Sequence, residues 1–128
     1  LSKNYINYNY QKIINKDFLI FTIEFVRNYG AAFNIFTGSR LFLSFISIIS
    51  TIILFLFIFI SKNKLFNKYG LSFILAGTIG NGIDRIFNGY VIDFIKIKLI
   101  DFPVFNIADI VINIGVLILI INYLRHKS

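Results

Sequence analysis

The chain has 128 residues, which suits one domain. Hydrophobic residues make up 57% and charged residues 15%, well below the roughly 25% charge of a soluble domain, so the composition is that of a membrane protein. The net charge of +7 lies mostly between apolar stretches, where anionic lipid headgroups rather than nucleic acid are the natural partner, and the lack of cysteine excludes disulfides, thiol catalysis and cysteine-held metal.

Residues 1–40 read as a surface segment rich in strand. Within them Phe21, Ile23 and Phe25 alternate with Thr22 and Glu24, which predicts a half-buried strand over 21–27. Asn28-Tyr29-Gly30-Ala31-Ala32-Phe33 follows as a turn in which Gly30 can take a positive φ; a plain connecting turn is the alternative. Residues 41–60 carry no charge and are bracketed by Arg40 and Lys62. Twenty such residues cross a hydrocarbon core about 30 Å thick. The polar run 61–68 reads as a loop. A second span is expected over 69–87, starting as early as Leu65. It contains Gly77, Gly80 and Gly82, small residues that let membrane helices approach closely, together with Asn81, Asp84 and Arg85. Asp84 and Arg85 are readable as a structural ion pair. Ile95, Ile97 and Leu99 alternate with Lys96 and Lys98 in a second strand. Unpaired strands cannot lie in lipid, so both belong at the membrane surface. A third span is expected over 105–124, its only charge being Asp109. The single histidine, His126, sits in the terminal Arg125-His126-Lys127 run as a solvated charge, so Ser–His and His–zinc chemistry have nothing to work with.

Ionisable residues inside a membrane are expensive and are functional candidates by default. Asp93 lies just beyond the second span and Asp109 about one turn into the third. Antiparallel helices joined by a surface excursion would return both to one membrane face. Two carboxylates held close cannot both ionise cheaply, so such a pair shares a proton. One acts as general base on a water while the other donates to the substrate carbonyl, as in aspartic proteases. A structural reading stands beside this one. Asn106 would cap a helix after Pro103, Asp109 would sit favourably in its first turn, and Asp93 would be an interfacial charge.

Taken in order, VRNYGAAFNIF at 26–36, AGTIGNGIDRIFNGYVIDFI at 76–95 and FPVFNIAD at 102–109, with an uncharged helix after the first and last, resemble the bacterial lipoprotein signal peptidase family, signal peptidase II. The motifs cover about a third of the chain, and the order of spans extends the likeness over nearly all of it. The resemblance implies a single membrane-embedded peptidase domain over 1–128, mainly α, with three spans here against four in the family and a small β-cradle at the membrane surface. It implies an aspartic endopeptidase of the bacterial inner membrane that removes signal peptides from prolipoproteins, cutting before a cysteine that carries diacylglycerol. Asp93 and Asp109 become the catalytic pair. Asn28, Asn81, Arg85 and Asn106 become substrate-binding residues, and Asp84 a structural one. No cofactor or metal is implied, and the partners are lipid-modified prolipoproteins and membrane lipids, met by a monomer.

The resemblance also places both aspartates near the outer face, with Lys62, Lys64, Lys68 and the tail in the cytoplasm. Raw counting of Lys and Arg would favour the opposite orientation, since eight lie in 1–40 and 84–101 against five elsewhere. Two departures stand out. Leu1-Ser2-Lys3 is similar to the end of an Asp-Gln-x-x-Lys-like block that closes the family's first helix, so that helix is expected to be missing from this sequence. Asn34 stands where the family usually has Gly. The rival reading is a non-enzymatic membrane protein, a transporter subunit or an inactive relative, for which the Gly77-Gly80-Gly82 cluster is a hint of a broken helix.

Overall fold

The computed structural model describes residues 2–13, 16–31, 36–60 and 65–127. Ala32, Phe33 and Asn34 of the turn block, and Lys62 and Lys64 of the loop, lie outside the described residues. The elements are α1 (Ser2–Ile13), β1 (Phe21–Asn28), α2 (Arg40–Ile60), α3 (Leu65–Phe87), β2 (Val91–Ile97) and α4 (Ile107–Lys127). The chain divides into two units: Leu1–Leu43 with Asp84–Ile107, and Ser44–Ile83 with Ala108–Ser128.

The first unit is built on the antiparallel pair β1–β2. The register runs from Phe21 opposite Ile97 to Asn28 opposite Val91, with an irregularity between Ile23 and Val26. Alternation along β1 supplies Ile23 and Phe25 to a small core of Ile6, Ile92 and Phe94, completed by Tyr90 and Ile95. Ile6 comes from α1, so one side chain of a polar helix seals this core. Beyond β2 the chain turns back and Phe105 bridges Ile95, with Ile95 N–H to Phe105 O at 2.8 Å and Phe105 N–H to Ile95 O at 3.0 Å.

The second unit holds the bulk of three helices. α2 is 21 residues long, about 31 Å at 1.5 Å per residue, and it exposes Phe, Ile and Leu along most of its surface. Among the described residues, α2 and α4 are long and apolar enough to cross a membrane. Apolar side chains left outward over a whole helix need lipid as their solvent. α3 and α4 meet at glycine. A Cβ on Gly77 would fall 2.5 Å from the Ala108 carbonyl, and one on Gly115 would fall 2.5 Å from that of Gly70. Near the other end of the pair, the Asn122 amide donates to Asn67.

Several expectations shift. The first 40 residues hold the helix α1 as well as a strand. Short polar helices owe their stability to tertiary packing, and α1 is too rich in Ser, Lys, Asn and Gln for its few apolar residues to announce it. α3 begins at Leu65, so the expected loop over 61–68 is partly helix. β2 starts at Val91 rather than 95 and includes Asp93. Its first four residues are all buried, and a strand covered on both faces does not alternate. α4 begins two residues later than expected because Phe105 is spent on the bridge to Ile95, and it runs on through Arg125 and His126. Basic residues in that last turn suit the helix dipole.

Candidate active site

Asp93 is the most enclosed acid of the described residues, 3% exposed near the start of β2. Its pairing with Val26 sets it two positions along the ladder from Asn28, which ends β1. Asn28 Nδ2 donates to Asp93 Oδ2 at 3.1 Å. The Asn28 amide is oriented by its own turn. Gly30 N–H, which can only donate, binds Asn28 Oδ1 at 2.9 Å, and this turns Nδ2 toward the carboxylate. That Asx turn needs no left-handed glycine, and Gly38 and Gly89, rather than Gly30, take positive φ.

The other carboxylate oxygen is held from the opposite direction. Asn106 Nδ2 donates to Asp93 Oδ1 at 2.6 Å, and Asn106 is 0% exposed. The backbone bridge from Ile95 to Phe105 delivers Asn106 to this place. Asp93 thus accepts from an amide on each oxygen. Hydrogen bonds to a charged group contribute about 1.5–3 kcal/mol each, so the pair of amides fixes the carboxylate and helps offset its burial.

Arg85 approaches the same turn, with Nη2 3.4 Å from the Gly30 carbonyl. It does not pair with Asp84. Asp84 is buried at the end of α3 and accepts from Lys3 Nζ at 3.0 Å and from the Ile92 backbone N–H at 3.0 Å. Its other oxygen takes Asn88 Nδ2 at 3.5 Å. Lys3 was missed as a structural residue by reading motifs alone. The signal was its place at the end of the block that resembles the family's first-helix terminus.

In the second unit, Asp109 lies in the first turn of α4 and accepts from Asn81 Nδ2 of α3 at 2.8 Å. Asn81 is buried. The close α3–α4 packing at Gly77 and Gly80 against Ala108 brings these two side chains into register. Of the six candidate residues, the structure therefore joins Asn28, Asp93 and Asn106 in one cluster and Asn81 with Asp109 in another. Arg85 is tied to the turn that orients Asn28.

Apolar helices, a small paired sheet and an enclosed acid held by amides define the class as a membrane protein with a built polar site. Two solved bacterial membrane enzymes share the fold. One matches with a TM-score of 0.86 and 38% identity over 99% of this chain and 80% of that one. The other matches with a TM-score of 0.80 and 38% identity over 96% and 83%. The family described as Signal peptidase (SPase) II matches residues 1–125. A lipoprotein signal peptidase of Gloeothece citriformis is 43% identical over 110 residues, covering 85% of this chain and 69% of the relative. One of Clostridium tetani is 42% identical over 120 residues, covering 91% and 76%. The chain belongs to the signal peptidase II family, a family of membrane peptidases.

Proposed function

We propose that this protein removes signal peptides from lipoproteins as an aspartic endopeptidase, cutting before a diacylglyceryl-modified cysteine. The observation that carries the reading is the two-amide clamp on buried Asp93 in a chain whose relatives are lipoprotein signal peptidases. In this reading Asp93 and Asp109 form the catalytic pair and share one proton. The ionised carboxylate takes a proton from a water, whose oxygen attacks the scissile carbonyl. The protonated partner gives its proton to the carbonyl oxygen, and a tetrahedral diol forms. Breakdown moves a proton to the leaving amine and frees the new N-terminal cysteine.

Asn28 and Asn106 hold Asp93, and Asn81 holds Asp109, so each amide acts first by fixing a reacting carboxylate. Their second role is to line the substrate site together with Arg85, whose planar guanidinium suits peptide carbonyls. α3 is the second of three spans, between α2 and α4, with Asn81 and Asp84 buried rather than turned to lipid. The protein lies in the bacterial inner membrane with both aspartates near the outer face, and Lys68 and the Arg125–Lys127 tail are cytoplasmic. It works as a monomer without metal or cofactor, on prolipoproteins drawn from the bilayer.

The test is processing of a diacylglyceryl-modified prolipoprotein by Asp93→Asn and Asp109→Asn. Each is expected to abolish cleavage while membrane insertion and expression stay intact. Normal processing by either variant would refute the pair.

A further inference from the structure

The register of the sheet sets a particular side chain beside Asp93. Ile23 stands opposite Ile95 and Val26 opposite Asp93, so Glu24 and Phe25 of β1 share the single place of Phe94 on β2. That is a bulge of one extra residue in β1. The side-chain contacts agree with it. Phe25 packs against the cluster of Ile92 and Phe94, and the Arg27 guanidinium lies 5.7 Å over the Phe25 ring and 5.2 Å over that of Tyr90. Glu24 Oε1 lies 3.2 Å from Lys96 Nζ. Ile92, Phe94 and Lys96 alternate with Asp93 along β2, so Glu24, Phe25 and Arg27 lie on the face turned away from its carboxylate. Val26 and Asn28 lie on the carboxylate's own face, where Asn28 reaches Asp93 Oδ2.

The bulge decides which residue neighbours the acid. Strict pairing onward from Ile23 would set Phe25 opposite Asp93 and Arg27 opposite Val91, bringing a phenyl ring and a cation onto the face of the carboxylate. With the bulge, the place opposite Asp93 belongs to half-buried Val26. Opposite residues of an antiparallel pair hold their Cβ atoms about 5 Å apart. A proton-transferring carboxylate must come within about 3 Å of the group it serves, so a side chain beside it touches what flanks the bond being cut. We infer that Val26 is a specificity-determining residue that limits the size of the substrate side chain on the acyl side of the cut. The inference rests on the proposed reaction, with Asp93 as a reacting carboxylate. In that reaction the residue after the cut is always the modified cysteine, so selection by size falls on the residue before it.

Valine suits the task because it is branched at Cβ and stiff at χ1, which makes it a fixed wall of small reach. A phenyl ring in its place would extend over the carboxylate. Single-residue deletions form a matched pair on this point. Deleting Glu24 removes the bulge and leaves Val26 opposite Asp93. Deleting Val26 also removes the bulge but sets Phe25 opposite Asp93. Both deletions keep Asn28 opposite Val91. The Glu24–Lys96 pair lost in the first is part-exposed and contributes little.

The test measures kcat/KM in micelles on diacylglyceryl-modified prolipoproteins that carry Gly, Ala or Leu immediately before the cysteine. Val26→Ala is expected to raise the Leu-to-Gly ratio by about tenfold or more, the scale on which methyl-sized changes in an apolar pocket act. Val26→Phe is expected to lower the Ala-to-Gly ratio. The protein lacking Glu24 should keep the parent's preference, and the one lacking Val26 should cut the Gly substrate alone or none. Ratios left where they were by both Val26→Ala and Val26→Phe overturn the inference, and so does the parent's preference in the protein lacking Val26. Asp93→Asn tells the two possible failures apart. Normal cutting by that variant sinks the catalytic reading itself, whereas an inactive Asp93→Asn beside unmoved ratios sinks only the role of Val26.

Discussion

The buried ion pair between Lys3 and Asp84 offers a direct test of how the first unit is held. The side chains are 12% and 8% exposed and lie 3.0 Å apart, so solvent screens little of their interaction. Removing one partner of such a pair leaves a buried charge uncompensated and costs about 3–5 kcal/mol. That is a large part of the roughly 5–15 kcal/mol that holds a typical domain. Asp84→Asn keeps an oxygen to accept the Ile92 N–H but discards the charge, and Lys3→Met keeps most of the stem volume. Each alone should destabilise by several kcal/mol, whereas the double variant, neutral again, should cost much less than the sum. The assay is a double-mutant cycle of denaturant unfolding in micelles, followed alongside substrate processing. Ile92 precedes Asp93, so loosening its N–H anchor should lower cleavage in the single variants and partly restore it in the double. Single costs that add within about 0.5 kcal/mol would refute the reasoning, because independent sites add to that precision.

Glycine contacts give a graded pair of outcomes. Gly77→Ala should sharply lower thermal stability in detergent, since its Cβ would meet the Ala108 carbonyl at 2.5 Å, while Gly80→Ala, facing Ala108 Cβ at 3.4 Å, should be tolerated. Asp17 is held below its usual value of 3.8 by the Lys98 hydrogen bond first, then by Thr22 and by the Lys98 charge. Its contribution is thus present above the unfolded value and is lost as pH falls through the lower folded one; carboxyl NMR should show this depression, and Lys98→Met should largely remove it. Asn106→Asp keeps the side chain's size yet should lose most cleavage activity, since a donor to Asp93 becomes a second negative charge; unchanged turnover would contradict the clamp.

The apolar helices were legible because length and purity suffice to announce a membrane span, as in 41–60 against α2 at Arg40–Ile60. β1 was legible from alternation, since only one of its faces meets the core. β2 was only half legible: its fully buried start, Val91 to Phe94, reads as a plain apolar run, and only the half-exposed end alternates. α1 was illegible because its apolar residues are set among Ser, Lys, Asn and Gln, which read as a polar surface segment. The acids were visible as rare charges near apolar spans, and their amide partners became visible through ordered motifs. The partner of Asp84 was not, because Lys3 and Asp84 are far apart in sequence and neighbouring Arg85 offered a simpler pairing. Arg85 reaches the Gly30 carbonyl instead.

Asn106 shows why a helix start and a reactive site are not competing explanations. A residue just before a helix is chosen for a side-chain oxygen that can accept an N–H of the first turn, and Ser, Thr, Asp and Asn all provide one. Among these four, Asn alone also has an amide NH2 to give. Here Nδ2 donates to Asp93, thirteen positions earlier in the chain, at 2.6 Å. A cap alone would not require that donor, nor a position with 0% exposure. The acid three residues further on fits the helix dipole as any first-turn acid would, yet it too is held by an amide, Asn81 of a different helix. The Phe105–Ile95 bridge and the start of α4 account for where residues 106–109 sit. The spare amide donors fix the orientation of Asp93 in the first unit and of Asp109 in the second, as the proposed proton transfer would require of each carboxylate.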